Sequence, residues 1–311
     1  MNTHHEIITT SLNSPINLSD ITSPDFQTAT GPIRYGMTND YMFRAVLQSN
    51  EKVLRGLICS LLHLQDSDIK SIQITNPIVL GESIEDKEFR LDINLKLNDN
   101  TMINLEMQIA DQLNWRSRST LYLCRSYDQL QHGQDYQEAK PVIHISFLNF
   151  TLFPEYPEFY ATYKLINVKN HQIYNDNLRL SVVDLTQIHL ATAEDKQYQL
   201  DYWAALFKAK TWEEIKMLSE KNEAIKEAAG AMYLMSEEAR IQKRCRDRED
   251  YYQNIRTYEH EIAKRDDIIS QRDDIILQKD DIISKKDIAI IQKDAYIAKL
   301  EAQLAEARKG L

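Results

Sequence analysis

The sequence predicts an α/β fold, a mixed sheet flanked by helices, followed by a long C-terminal helical coiled coil. Two observations predict the sheet: apolar and polar residues alternate in several short segments, and stretches with helical spacing lie between these segments. A third observation predicts the coiled coil, because isoleucine recurs every seven residues near the end of the chain. With 311 residues, of which 43 % are hydrophobic, the chain is long enough for a globular domain and an additional segment.

Regular structure is predicted to begin near residue 37. Residues 1–36 are rich in Ser, Thr, Asn and Pro without periodicity, and we expect a flexible leader there. Thr38-Asn39-Asp40 then offers capping side chains before apolar residues at helical spacing through residue 62, which predicts buried helices. The next predicted elements are strands at 72–80, 89–97 and 102–109, a helix at 112–131, and strands at 142–150, 159–168 and 178–185.

The chain is therefore expected to have four segments. These are the leader 1–36, an α/β domain over 37–190, a helical connector over 191–236 and a heptad-repeat coiled coil over 237–311. The heptad column consists of Ile255, Ile262, Ile269, Ile276, Ile283, Ile290, Ile297 and Leu304. An uninterrupted column of this kind predicts a homodimer or higher homo-oligomer, and a lone solvated helix is the alternative.

Two predicted strands carry carboxylates that would face each other. Asn98-Asp99-Asn100 is a turn signal, and a three-residue loop centred on Asp99 keeps apolar residues opposite apolar residues. This register pairs Leu97 with Thr101, Leu95 with Ile103, Ile93 with Leu105, Leu91 with Met107, and Asp92 with Glu106. Facing carboxylates repel each other, and a Mg²⁺ or Mn²⁺ ion, which prefers oxygen ligands, would reverse that penalty. The pair predicts a metal site, with ordinary solvated carboxylates as the alternative.

These residues carry a family resemblance. Asp92 followed by Glu106-Met107-Gln108 resembles the D…(D/E)xK core of PD-(D/E)xK nucleases, with Gln108 where lysine is usual. Together with residues 39–44 and the strand at 141–150, the pattern is similar to the recombination-promoting nuclease/putative transposase branch of that family, over roughly half of the chain. The resemblance implies a restriction-endonuclease-like sheet and a Mg²⁺-dependent DNA endonuclease.

The resemblance also implies roles for individual residues. Asp92 and Glu106 would be metal ligands, the Met107 carbonyl a third ligand, and Gln108 would help to orient the attacking water. Asp40 matches an early acidic position of the family and would be either a further metal ligand or a helix cap. Because glutamine has no ammonium group to stabilise a phosphate, more of that work would fall on the metal ion, Mg²⁺ or Mn²⁺.

Candidate DNA contacts lie on the helix predicted after this pair. Arg116, Arg118 and Arg125 could bind phosphates, and Arg118 and Arg125, seven residues apart, share one helix face. A solvated helix face that carries charges is the alternative. The net charge of −10 counts against binding nucleic acid by charge alone, so DNA contact should be local.

Other features restrict the class of protein. We expect a cytoplasmic protein, because there is no long apolar stretch for a membrane span and no signal-peptide pattern. Cys59, Cys124 and Cys245 form no CxxC pair, which argues against a disulfide framework and a zinc site. The alternative to an endonuclease is a catalytically inactive nuclease-fold scaffold that binds DNA or protein and is multimerised by its coiled coil. The missing lysine and the acidic balance favour that alternative.

Overall fold

The structure is a computed structural model that describes residues 26–76, 93–98, 100–111 and 114–309. The chain divides into two compact units, Met1–Asp250 and Tyr251–Leu311. The first unit contains a six-stranded mixed sheet with flanking helices, and a single long helix follows at the C-terminal end. The α/β class is thereby confirmed. None of the described helices combines the length and the apolar character that a membrane span requires.

Two helices form over the first apolar segment, α1 (Asp40–Ser49) and α2 (Glu51–Leu62). Asn39 caps α1 and Asn50 caps α2, because the side-chain oxygen of each accepts a hydrogen bond from a backbone N–H of the first turn. Asn50 also ends α1 in an extended conformation. The apolar residues through residue 62 are therefore divided into two helices at Asn50, within the polar stretch 48–52.

The sheet contains three antiparallel strands followed by a parallel part. Its strands are β1 (Ile72–Ile74), β2 (Ile93–Leu97), β3 (Thr101–Gln108), β4 (Val142–Leu148), β5 (Tyr160–Ile166) and β6 (Ile173–Asp184). Their order across the sheet is β1-β2-β3-β4-β6-β5. β3, β4 and β6 are parallel to one another, and the remaining neighbours are antiparallel. The predicted strand positions 77–80 and 89–92 lie outside the described residues.

The hairpin between β2 and β3 has the predicted register. Leu97 pairs with Thr101, Leu95 with Ile103 and Ile93 with Leu105. Asn98 begins the three-residue loop with a φ of 51°, a left-handed conformation that asparagine tolerates better than most residues. The two further predicted pairs, Leu91 with Met107 and Asp92 with Glu106, each include a residue outside the described part of the chain.

The remaining helices are α3 (Trp115–Tyr127), α4 (Ala193–Gln197), α5 (Leu200–Lys208), α6 (Trp212–Ser219), α7 (Glu223–Glu237) and α8 (Ala239–Lys309). Residues from α1, α2 and α5–α7 share one hydrophobic core with the apolar face of the sheet. Phe43 of α1, Phe147 of β4 and Phe207 of α5 meet at its centre, with ring centroids 5.1–5.6 Å apart. The segment predicted as a helical connector thus contributes helices to this core.

The end of the predicted leader is packed against the same domain. Phe26 and Tyr35 are buried, and Pro32 forms a β-bridge with Thr211. The Gly31 N–H donates to the Glu213 carboxylate at 3.0 Å. These contacts hold residues 26–36 in place, because an aromatic side chain and backbone polar groups find partners there. Residues 1–25 lie outside the described part of the chain.

The long helix α8 begins in the first unit and continues through the second. Ile241 and Cys245 near its start are fully buried in the domain core. From residue 253 onward the described isoleucines are exposed or half-buried in the single chain, including every member of the heptad column from Ile262 to Ile297. The predicted helix is confirmed, and its pairing with a second helix stays a prediction.

Candidate active site

The candidate site lies on the polar face of β3, an inner strand of the sheet. Ile103, Leu105 and Met107 point into the main core. Asn104, Glu106 and Gln108 alternate with them and lie on the opposite face, which α3 approaches through its contacts with β4 and β6. These three polar side chains are nevertheless buried, and Glu106 is only 7 % exposed. A carboxylate at such a position needs a positive partner.

Arg118 of α3 supplies that partner. Its Nη2 donates to Glu106 Oε1 and, at 3.1 Å, to Gln108 Oε1. The Gln108 side-chain N–H in turn donates to the Ala110 carbonyl at 2.7 Å, so both ends of that amide are held. The guanidinium carbon lies 4.9 Å from the Trp115 ring centroid. The result is a compact ion pair in which one guanidinium bridges a carboxylate and an amide.

The neighbouring strand β4 adds His144 and Ser146 to the polar face. Parallel pairing places His144 beside Asn104 and Ser146 beside Glu106. His144 is fully buried, and its burial, with the nearby Arg118 charge, lowers its pKa to about 4, so the imidazole is neutral near pH 7. Neither ring nitrogen of His144 nor the Ser146 hydroxyl has a hydrogen-bond partner among the described residues.

Neither His144 nor Ser146 was among the site residues predicted from the sequence. The available signal was a histidine and a serine inside the nearly continuous apolar run at 142–150. Polar side chains there must be buried on one face of an inner strand, next to whichever polar residues the adjacent strand presents. That the adjacent residues are Asn104 and Glu106 depends on the β3–β4 register. On the other side, Asn104 donates from Nδ2 to Asn94 Oδ1 at 2.7 Å.

The predicted second carboxylate, Asp92, lies outside the described residues. The register is confirmed up to Ile93, the residue next to it, which pairs with Leu105 next to Glu106. The pairing of Asp92 with Glu106, and with it the two-carboxylate metal site, stays a prediction.

Asp40 has a different environment from the predicted site. It is the first residue of α1, and the N-cap is the preceding Asn39, so the interpretation of Asp40 as the capping residue is corrected by one position. Both Asp40 oxygens accept hydrogen bonds from Arg248 of α8, including Nε at 2.9 and 3.0 Å. Among the residues that the structure describes, no group of three or more His, Cys, Asp or Glu is arranged to hold a metal ion. Asp40 as a metal ligand stays a prediction without a contact that supports it.

The donor chemistry of the β3 residues nevertheless fits Mg²⁺ or Mn²⁺. The Glu106 carboxylate, the Gln108 amide oxygen and the Met107 main-chain carbonyl are oxygen donors, which these hard cations prefer. Glu106 is also a buried negative charge that already holds a cation, the Arg118 guanidinium.

The three predicted DNA-contact arginines have different surroundings. Arg116 is exposed, 5.9 Å from the Phe153 ring centroid, and Arg125 is exposed near the end of α3. Arg118 is turned towards the sheet. The two arginines expected to share one face therefore differ, since Arg118 is drawn to Glu106 while Arg125 remains at the surface.

The described residues of the first unit thus form a mixed sheet with a buried acidic residue on an inner strand and helices on both faces. The family model described as PD-(D/E)XK nuclease family transposase matches residues 37–260. The chain belongs to this family, as the Asp92 and Glu106-x-Gln108 pattern predicted. The match covers the sheet, α1–α7 and the first part of α8. No curated protein and no solved structure matches the chain significantly.

Proposed function

We propose that the protein is a Mg²⁺- or Mn²⁺-dependent DNA endonuclease that hydrolyses phosphodiester bonds. The observation that carries this proposal is the buried Glu106 carboxylate on β3, with Arg118 and Gln108 bonded around it. A family that is nuclease-like supplies the reaction class. A buried, charge-paired carboxylate is a candidate functional residue, and the nuclease family of the chain favours that role for Glu106.

Each residue of the proposed site has a distinct role. Asp92, Glu106 and the Met107 carbonyl would hold the divalent cation, which supplies Lewis-acid stabilisation of the phosphate and a more acidic water. Gln108 presents its amide in a fixed orientation, because Ala110 and Arg118 bind its two ends. The exposed Arg116 and Arg125 would contact the DNA backbone and position the duplex over the site.

Plasmid nicking tests this assignment. Full-length protein should nick supercoiled DNA with Mg²⁺ or Mn²⁺ and should stop when EDTA is added. Asp92→Asn and Glu106→Gln should each lower the nicking rate on the order of a hundredfold or more, because each removes a charge that holds the cation. Glu155→Gln, an identical change at an exposed position, is the control and should cleave normally. Nicking that survives both site variants would remove the assignment.

A catalytically inactive nuclease-fold scaffold that binds DNA or protein is the second candidate. Gln108 in place of lysine favours it, because glutamine brings no positive charge of its own to a bound phosphate. Metal titration separates the two candidates. Saturating Mn²⁺ at about a hundred times its Kd should stabilise a metal-binding enzyme by about 2.7 kcal/mol, which raises the Tm, whereas an inert scaffold should show no shift.

We also propose that the heptad column of α8 joins two or more copies of the chain. The support is the exposure of six successive isoleucines, Ile262 to Ile297, each more than half exposed in the single chain. Two joined nuclease domains would suit cleavage of both DNA strands. Light scattering that finds a monomer at micromolar concentration would end this proposal.

A further inference from the structure

We propose that Arg118 is the catalytic cation of this site, in the place that lysine fills in the family's usual motif. This inference rests on the proposed nuclease function. The supporting contact is the bridge that Arg118 Nη2 makes between Glu106 and Gln108, the glutamate and the lysine position of that motif. The positive charge absent from residue 108 is therefore present beside it, delivered from α3.

Glutamine at position 108 and arginine at position 118 fit each other chemically. The Gln108 Oε1 accepts a hydrogen bond from Arg118, which a lysine ammonium, a donor only, could not do. Lysine at 108 would place two positive charges within hydrogen-bond distance in a largely buried site. The glutamine that replaces the motif's lysine and the guanidinium beside it therefore belong to one arrangement.

The surroundings of Arg118 hold its guanidinium in place and leave it charged. The Trp115 and Tyr122 rings lie 4.9 and 5.6 Å from the guanidinium carbon. His144, the nearest titratable group on β4, is neutral near pH 7 and adds no repulsion. The arginine side chain is 27 % exposed, so it is not fully enclosed by the protein. Guanidinium groups bind phosphate oxygens through strong charge-assisted hydrogen bonds.

One consequence separates this role from that of a structural ion pair. Arg118 and a divalent cation both draw on the Glu106 carboxylate, so they compete for it. Removing the guanidinium should therefore tighten metal binding and, at the same time, slow the cleavage of DNA. An arginine that was only the ion-pair partner of Glu106 would also release the carboxylate to the metal, but its removal would not slow cleavage at saturating Mn²⁺.

The experiment measures Mn²⁺ binding by calorimetry and plasmid nicking at saturating Mn²⁺ on the full chain. Arg118→Gln should bind Mn²⁺ on the order of fivefold tighter and nick DNA on the order of a hundredfold more slowly. Arg118→Lys keeps the charge, so its Mn²⁺ affinity should stay near that of the wild type and its nicking should be reduced less. Arg256→Gln, the same change at an exposed position in the second unit, is the control and should alter neither quantity.

Each outcome decides the inference. Unchanged or weaker Mn²⁺ binding by Arg118→Gln, or unchanged nicking, overturns the role of Arg118 and leaves the nuclease assignment intact. Circular dichroism checks that Arg118→Gln is folded, and if it is not, equal nicking by Arg118→Lys and the wild type overturns the need for a guanidinium. A wild-type chain that neither binds Mn²⁺ nor nicks DNA removes the proposed function and this inference with it.

A separate observation concerns α8, where we infer that a second copy of the chain pairs with the helix in parallel orientation. The seam has three columns. Ile268, Ile275 and Ile282 form one apolar column and Ile269, Ile276 and Ile283 form another, each residue 50–55 % exposed. A third column lies between these two on the helix surface. Each of its residues precedes a residue of the Ile268 column by three positions and a residue of the Ile269 column by four, and residues at these spacings are neighbours on a helix. That central column consists of Tyr258, Arg265, Arg272, Lys279, Lys286, Lys293 and Leu300.

One column of residues flanks this seam on each side, and these two columns, the borders of the seam, carry different charges. On the Ile269 side the border is acidic in seven successive repeats: Glu259, Asp266, Asp273, Asp280, Asp287, Asp294 and Glu301. On the Ile268 side it contains lysine and glutamine and no acid: Lys264, Gln271, Gln278, Lys285, Gln292 and Lys299. Such a separation of charge sets the orientation in which two copies fit.

Parallel and antiparallel pairing differ in which borders meet. In a parallel pair the acidic border of each helix faces the lysine and glutamine border of the other. In an antiparallel pair the acidic border of one helix faces the acidic border of the other, so seven carboxylates would oppose seven carboxylates. The basic central column meets itself in either orientation and does not discriminate. Charge complementarity therefore selects the parallel pair.

Disulfide cross-linking tests the orientation on full-length chains that carry Cys59→Ser and Cys124→Ser. Tyr258→Cys and Leu300→Cys lie in the central column, about 60 Å apart along the helix. In a parallel pair each variant should cross-link to itself, and a mixture of the two should form no 258–300 link. Asp274→Cys, on the opposite side of the helix, is the control and should not cross-link. A 258–300 link in the mixture, or no cross-link at either central position, overturns the inference.

Discussion

At the scale of single residues, the polar face of β3 and β4 carries charge and hydrogen-bonding groups that ordinary packing does not require. Glu106, Gln108 and His144 are each at most 7 % exposed. Leucine or valine at these positions would avoid the desolvation cost of polar groups. Their presence on inner strands supports the proposed chemical role of this face.

His144 gives this region a dependence on pH. Its pKa is lowered to about 4 in the folded protein, first by burial and then by the Arg118 charge. Below about pH 6.5 the unfolded chain binds a proton that the folded chain does not, so stability is lost as the pH falls from 6.5 towards 4 and levels off below that. The full loss is about 3 kcal/mol on this single group.

Urea unfolding between pH 7 and pH 4 measures this loss. We expect His144→Gln to show a smaller decrease in the free energy of unfolding over that range than the wild type, because the glutamine does not titrate. His132→Gln, at an exposed histidine, is the matched control and should keep the wild-type decrease. Equal decreases in all three proteins would show that His144 is not held neutral by its surroundings.

At the scale of elements, the close approach of α2 to α7 depends on one glycine. A Cβ at Gly56 would lie 2.3 Å from the Ala224 Cβ and 3.3 Å from the Trp203 ring, so the helices would have to separate. We expect Gly56→Ala to lower the free energy of unfolding by about 1–3 kcal/mol, although alanine ordinarily favours a helix.

Gly230→Ala provides the comparison for that change. Gly230 lies in α7 with no atom within 4 Å of its would-be Cβ, so alanine there should stabilise the protein by about 0.5–1 kcal/mol. Urea unfolding of the two variants should therefore give opposite signs. A stabilising Gly56→Ala would contradict the packing of α2 against α7.

The start of α8 is attached to α1 by polar contacts that bear on the role of Asp40. Arg248 binds both Asp40 oxygens, and the Asn39 side chain donates to the Cys245 carbonyl at 2.9 Å. The Asp40 side chain is 5 % exposed, so its removal would take a carboxylate from Arg248 in a largely buried place. The contact with Arg248 supports helix attachment as the role of Asp40.

Asp40→Asn separates this role from metal binding. We expect the free energy of unfolding to fall by about 3 kcal/mol, because a mostly buried ion pair is broken, while Mn²⁺ affinity stays at the wild-type value. Asp247→Asn changes a carboxylate that is 44 % exposed in its pair with Arg244, so the loss should be smaller, about 1 kcal/mol. Weaker Mn²⁺ binding by Asp40→Asn, measured by calorimetry, would restore Asp40 to the metal site.

Local sequence patterns predicted the positions of helices and strands better than they predicted the contacts between these elements. The alternation in β2 and β3, with a turn signal between them, was enough to predict the register, because a slip by one residue would bury the polar face in the apolar core. The helix boundary at Asn50 was missed, although the polar stretch 48–52 and an asparagine directly before Glu51 were available as signals. The Arg118–Glu106 pair could not be predicted, since it depends on how α3 packs across the parallel part of the sheet.

At the scale of the whole molecule, the family match and the division into two units both separate the candidate nuclease site from the heptad repeats of α8. The match ends at residue 260, close to the start of the second unit at Tyr251. The candidate site lies entirely in the first unit, whereas the exposed isoleucine column lies in the second. Truncating the chain between the candidate site and the isoleucine column should abolish self-association and preserve the proposed DNA cleavage.

A chain that ends at residue 260 is therefore expected to fold, bind Mn²⁺ like the full chain and behave as a monomer in light scattering. Its products should differ as well. Two joined domains can cut both strands in one encounter, so the full chain should yield linear plasmid early, whereas the shortened chain should accumulate nicked circles first.

Substitutions in the intact chain control for the loss of residues. Ile276→Asp with Ile283→Asp places charges in the seam and should reproduce both the monomer and the nicked-circle pattern. Asp267→Ala with Asp274→Ala, on the opposite side of the helix, should retain the wild-type assembly and products. If the seam variants remained oligomeric, the isoleucine column would not be the assembly surface. If they became monomeric and still gave linear plasmid early, joining would have no part in how the two strands are cut.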